Sequence, residues 1–167
     1  MKIIIKVFLS IALSLYLIIL TKLVLIKYIP LSAVINHLTF SFDFDDYYWN
    51  SHNFIPFKTI TYYLFLANDI NFNIRVENLT GNVIGFVPFG FLLPLLFRNF
   101  RSLKNVTFAT FCLSLLFEVL QLIFRFGSFD IDDLILNTLG GMLGYIPISF
   151  FLKCNSRRKV EQKSVMY

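Results

Sequence analysis

Charge is what this sequence has least of. Only 15% of its 167 residues are Asp, Glu, Lys or Arg, where a soluble domain carries about 25%. Hydrophobic residues make up 57%, 21 of them Phe, and the mean hydropathy is +0.71. A soluble fold with one large core does not account for these figures, because such chains rarely hold several apolar runs of spanning length. Cysteine is scarce too. Cys112 and Cys154 stand far apart without CxxC spacing and read as unpaired structural residues. Histidine is confined to His37 and His52, solitary residues in a loop and not candidate catalysts. The net charge of +5 does not imply a nucleic-acid partner, since the bases gather at the ends of apolar runs rather than in aromatic-interleaved patches. There is no internal repeat and no low-complexity tract.

What is present is a series of long apolar stretches. Residues 1–29 open with Lys2 and Lys6 and run apolar from Val7, interrupted by Lys22. No small-x-small cleavage site follows, so this segment reads as an uncleaved signal-anchor helix ending near Pro30. Lys22 and Lys27 are long enough to snorkel to an interface. Residues 30–78 form a loop with Tyr47, Tyr48 and Trp49 as interfacial aromatics. Within it, Thr59–Ala67 is apolar but too short to span, and reads as an interfacial helix.

Residues 79–152 then hold three more runs, and 153–167 form a basic tail. Leu79–Phe97 has no charge and at about 1.5 Å per residue is long enough to cross a bilayer. Pro88 and Pro94 are tolerated in such a span when neighbours satisfy the freed backbone groups. Val106–Phe124 buries Glu118 and Gln121. The last run reaches about Leu152, with Ser128 as the expected N-cap and Asp130 in the first turn. The fold class is therefore all-α: an integral membrane bundle of four transmembrane helices, with a short interfacial helix in the first external loop.

Loop charges orient it. The 31–78 loop carries five acids against two bases (−3), and residues 125–133 three acids against one base (−2). Arg98, Arg101 and Lys104 give +3, and the tail five bases against one acid (+4). Basic segments stay in the cytoplasm, which places both termini inside.

Depth then becomes informative. Glu118 lies roughly 9 Å below the outer end of its run, and Asn82 and Asn137 roughly 5 Å below theirs. Gln121 and the group of Asp130, Asp132 and Asp133 lie just above. A carboxylate at mid-membrane costs about 3 kcal/mol against lipid, so Glu118 must face the bundle interior or water. An outward-facing polar cavity follows, with Asn82, Glu118, Gln121, Asp130, Asp133 and Asn137 as candidate ligand-binding residues. Glu118 is also the candidate proton carrier, if the site is catalytic; a structural clasp joining the helices fits it equally. Gly81 and Gly85, and Gly140, Gly141 and Gly144, read as helix-packing positions. No EF-hand spacing or His cluster is present, so neither a metal nor another cofactor is expected.

Four segments in fixed order resemble the VanZ-like membrane proteins, a family named for a component of a teicoplanin-resistance cluster. They are Asn53–Ile60 (NFIPFKTI), Asn78–Leu96 (NLTGNVIGFVPFGFLLPLL), Glu118–Gln121 (EVLQ) and Phe129–Tyr145 (FDIDDLILNTLGGMLGY). Many members carry an Arg shortly before the FD pair; here Gly127 and Ser128 precede it, and the nearest is Arg125. The resemblance implies a small multi-pass protein of the bacterial cell membrane, linked to glycopeptide and especially teicoplanin resistance. It implies no chemical mechanism. Three functions fit: binding of a glycopeptide or lipid-linked envelope molecule, an enzyme acting on a phosphate- or ester-bearing envelope lipid, and a non-catalytic assembly partner. The expected surroundings are the lipid bilayer and an amphiphilic ligand, with the oligomeric state left open.

Overall fold

The structure is a computed structural model describing residues 2–25, 34, 49, 51–66 and 70–164, the last twelve of these as helical backbone only. Lys27, Pro30, His37, Tyr47, Tyr48, Ala67 and the side chains of the basic tail, all named above, lie outside the described residues.

Helix α1 covers Lys2–Leu25. A single turn, α2, covers Lys58–Thr61 and continues as a π-helical turn through Tyr62–Leu66. Helix α3 covers Phe72–Leu96, α4 Leu103–Phe124 and α5 Ile131–Ser164. Four helices (α1, α3, α4 and the 131–152 part of α5) are long and apolar enough to cross a membrane. Ile3, Ile4, Phe8, Ile18, Phe108 and Phe150 are among their large apolar side chains left exposed. On a multi-pass membrane bundle that surface belongs against lipid.

The helix ends follow local chemistry. Helix α3 begins seven residues before its apolar run, because the Asn71 side chain accepts a hydrogen bond from Asn73 N (3.0 Å) and caps it there. Pro88 and Pro94 sit inside α3 without ending it. Ser102 caps α4, and Arg125 closes it in a left-handed conformation (φ 53°). Helix α5 corrects the sequence reading at its start. Its N-cap is Asp130, not Ser128: Asp130 Oδ1 accepts from Asp132 N at 2.8 Å. Its backbone continues twelve residues past Leu152, through most of the basic tail.

Glycine decides the closest crossings. A Cβ on Gly140 or Gly144 of α5 collides with the Val83 or Val87 carbonyl of α3. One on Gly90 collides with the Gly141 carbonyl, and one on Gly141 with Thr110 of α4. Helices α3 and α5 thus meet at backbone distance, with Gly90 an unanticipated member of the set, and α4 reaches Gly141 through the Thr110 side chain. Gly81 and Gly85 behave otherwise. A Cβ on Gly81 meets nothing within 4 Å, and one on Gly85 only Leu20 Cδ1 at 3.7 Å. Neither faces a neighbouring backbone: Gly81 borders open space, and Gly85 touches Leu20 of α1 while its carbonyl accepts from Tyr16 Oη.

Helix α1 joins this core by its C-terminal half. Leu20 and Leu25 pack with Phe86, Phe117 and Phe126. Tyr16 Oη donates to Gly85 O (2.6 Å), and Gln121 Nε2 to Val24 O (2.9 Å).

Candidate functional site

The chemistry of the chain gathers at one end of the bundle, where the turn between α4 and α5 meets the segment before α2. Asn53 pairs with the incoming strand of that turn. Its N donates to Phe129 O (2.8 Å), and its O accepts from Ile131 N (3.0 Å). Its Nδ2 reaches both Asp130 Oδ1 (2.8 Å) and Thr59 Oγ1 (3.0 Å). Thr59 Oγ1 donates to the other Asp130 oxygen at 2.6 Å. His52 Nδ1 accepts from Phe129 N at 2.8 Å.

Asp132 completes the join. Its side chain is fully buried and collects three backbone amides: Phe57 N (2.5 Å), Thr59 N (2.7 Å) and Ile60 N (3.0 Å). Those are orphan donors at the N-terminus of α2, and a carboxylate is their best acceptor. Phe57 adopts φ 66°, the left-handed conformation that brings these amides toward one point. The NFIPFKT corner is therefore folded around a side chain supplied from another helix.

Behind this knot runs a polar seam between α4 and α5. Thr110, Ser114 and Glu118 recur every four residues along α4, and all three are buried. They face the small or polar positions of α5. Thr110 abuts Gly141, and Ser114 Oγ accepts from Asn137 Nδ2 at 2.8 Å. Glu118, 1% exposed, accepts from Asp130 N through Oε2 at 2.8 Å.

In front of the knot lies a cavity of about 360 Å³. Leu20, Leu23 and Val24 of α1 and Phe86 of α3 form its apolar side. The polar side takes Glu77, Asn78 and Asn82 from α3, Gln121 from α4, Asp130 and Asp133 from α5, and Thr59 and Tyr63 from around α2. Asn82 Nδ2 donates to Asp133 Oδ1, tying α3 to the first turn of α5. Gly81 and Gly85 lie in the floor, which accounts for the space around them.

Of the six candidate ligand-binding residues, Asn82, Gln121, Asp130 and Asp133 are brought together around this space. Glu118 and Asn137 sit behind it, in the seam. Asn137 lies one turn deeper along α5 than Asp133, on the side facing Ser114. Asn53 and Thr59 were missed by spacing arguments, and Asp132, read only as part of the acidic group, has its role set by partners those arguments do not reach. Their partners are 71 to 77 residues away in sequence, beyond any helical periodicity. The pointer available was their presence in two of the four family-like segments.

The geometry offers hydrogen-bond acceptors and amides beside an apolar wall. Among the described residues, no group of three His, Cys, Asp or Glu is placed to hold a metal ion. Burial lowers the pKa of His52 below its ordinary value, so its imidazole stays neutral and keeps Nδ1 as an acceptor.

Fold and site together define a multi-pass helical membrane protein with a polar cavity at one end of its bundle. The chain belongs to the VanZ/LLP1 family, whose profile matches residues 13–152. It is similar to Protein VanZ of Enterococcus faecium, 41% identical over 81 residues, which are 48% of this chain and 50% of that protein. The chain thus spans about half the length of the curated relative it matches. No solved structure matches it.

Proposed function

We propose that this protein binds an amphiphilic or lipid-linked cell-envelope molecule in the cavity between α1, α3 and the start of α5. Through that binding it contributes to glycopeptide resistance, teicoplanin in particular, or to envelope homeostasis. One observation carries the reading: a space of about 360 Å³ lined both by apolar side chains of α1 and α3 and by acids and amides of α3, α4 and α5. An amphiphile meets both requirements from within a leaflet.

The basic Arg98–Lys104 loop joins the opposite ends of α3 and α4, so the positive-inside rule favours a cavity toward the exterior and both termini in the cytoplasm. Binding is favoured over catalysis because the acids already serve as acceptors. Asp132 is held by three amides, Asp130 by Asn53 and Thr59, and Glu118 by the Asp130 amide. A role as an assembly partner loses its main support, because Gly140, Gly141 and Gly144 are used in contacts within the chain.

The test is a susceptibility panel, teicoplanin against vancomycin, in a sensitive host expressing the wild-type chain or cavity variants. Protection should fall when Gly81→Leu fills the floor. If substitutions at Gly81, Asn82, Gln121 and Asp133 all leave susceptibility unchanged at normal expression, the reading fails.

A further inference from the structure

We infer that the cavity selects a cationic headgroup, so that its occupant is an ammonium-bearing amphiphile and not a phosphate-bearing one. This rests on the reading of the cavity as a binding site and adds the class of molecule it takes.

The lining is one-sided in charge. Glu77, Asp130 and Asp133 contribute three carboxylates from two helices and a cap, and the described lining residues include no Lys, Arg or His. Lys22, Lys58, Arg75 and Arg125 belong to the same end of the bundle but are not among those lining residues. The remaining polar groups, such as Asn78, Asn82 and Gln121, are neutral. In a partly dehydrated space such carboxylates repel a phosphate and attract an ammonium group.

The usual way for a helix to bind phosphate is also closed. The N-terminus of α5 opens onto this space, and helix N-termini attract anions through free amides. Here those amides are already engaged within the protein. Asp130 N donates to Glu118, Ile131 N to Asn53 O, Asp132 N to the Asp130 side chain and Asp133 N to Asp130 O. An incoming phosphate finds three carboxylates and neutral side chains, and no backbone amide of this helix start to receive it.

Size and spread separate an organic cation from a metal ion. The space is many times the volume of a bare ion, and among the described residues its acids do not converge on a single point as metal ligands do. Leu20, Leu23, Val24 and Phe86 give the rest of an amphiphile an apolar wall.

The experiment uses the full chain in neutral phosphatidylcholine nanodiscs. Three fluorescent probes share one C12 chain and differ in the headgroup: a primary amine, a phosphate monoester and an alcohol. Binding is measured against protein-free discs of the same lipid. The amine should bind about tenfold more tightly than the phosphate. Glu77→Gln alone, at an exposed position, should narrow that ratio, and Glu77→Gln with Asp133→Asn should remove it, with each affinity read against that of the alcohol in the same variant. Equal or tighter binding of the phosphate, or a ratio indifferent to both variants, overturns the charge selection and leaves the cavity as a binding site. No binding of any probe above the empty discs overturns the binding site itself.

Discussion

Thr59 donates its backbone N–H to Asp132 Oδ2 at 2.7 Å across 73 residues of sequence, and the same residue's hydroxyl donates to Asp130 at 2.6 Å. One threonine therefore reads two of the three acids in the FDIDD turn. The α2 corner and the start of α5 are one unit. Thr59, which lines the cavity, is positioned by a carboxylate that does not.

Removal of the Asp132 carboxylate tests that unit. Asp132→Ala strips three part-buried amides of their acceptor, at up to about 1–3 kcal/mol for each donor left unpaired and less than additively. The expected loss is about 3 kcal/mol of docking stability. It should appear as fast amide exchange confined to residues 55–61, with the spans still protected. Asp132→Asn keeps one good acceptor and should fall between the two. Unchanged exchange in Asp132→Ala would show that the corner holds its shape without this charge.

Much of this architecture was legible in the sequence, and the reasons differ by feature. The four spans announce themselves because a bilayer imposes length and apolarity together. Helix ends were less legible. Asn71 and Asp130 act through single side chain to backbone bonds that no hydropathy window registers, and Ser128 stood two residues from the true cap. The glycines divide for another reason. GxxxG spacing at Gly81 and Gly85 is the same pattern as at Gly140 and Gly144, but only the second pair faces a neighbouring backbone. Spacing gives a face, not what stands opposite it. The join of Asn53 and Thr59 to Asp130 is nonlocal, and only segment order hinted at it.

The two glycine pairs predict opposite outcomes. Gly81→Leu enters open space on a helix and should keep or slightly raise stability, since Gly costs about 1 kcal/mol against a good helix former. It should nevertheless lower ligand binding. Gly140→Leu drives a side chain into the Val83 carbonyl and should prevent the α3–α5 crossing from forming. Thermal midpoints in one detergent distinguish them, and a destabilised Gly81→Leu would contradict the geometry.

Glu118 separates a clasp from a proton carrier. Its oxygen accepts from Asp130 N, and Gln offers an oxygen at the same place. Glu118→Gln should retain folding and drug protection. Glu118→Ala, which leaves a buried amide unpaired, should cost about 1–3 kcal/mol and reduce both. Loss of protection in a stable Glu118→Gln protein would instead assign the residue a proton-transfer role.

Orientation follows from accessibility. In a chain with Cys112 and Cys154 replaced by Ser, Lys58→Cys lies at the cavity end and Asn99→Cys in the basic loop at the other, both exposed. An impermeant maleimide added to intact cells should label Lys58→Cys and spare Asn99→Cys until the membrane is opened. The reverse pattern would turn the cavity toward the cytoplasm and remove its access to the outer leaflet.

The docked corner should also respond to acid, through His52. Its pKa in the folded chain is lowered from 6.5 by burial, whereas an undocked histidine keeps the ordinary value. The undocked state therefore takes up the proton first, and docking stability has the slope of a depressed histidine: full above pH 6.5, lost progressively as pH falls below it. The mechanism is local, because a proton on Nδ1 faces the Phe129 N–H that the nitrogen now accepts. Trp49 reports it. It is the sole tryptophan, and its ring meets that of His52 edge to face at 5.8 Å. Its fluorescence should change between pH 7 and pH 5 in the wild-type chain, and the same scan should flatten in His52→Gln, which retains an acceptor but does not titrate there. A transition of equal size with and without the imidazole would remove His52 as the switch.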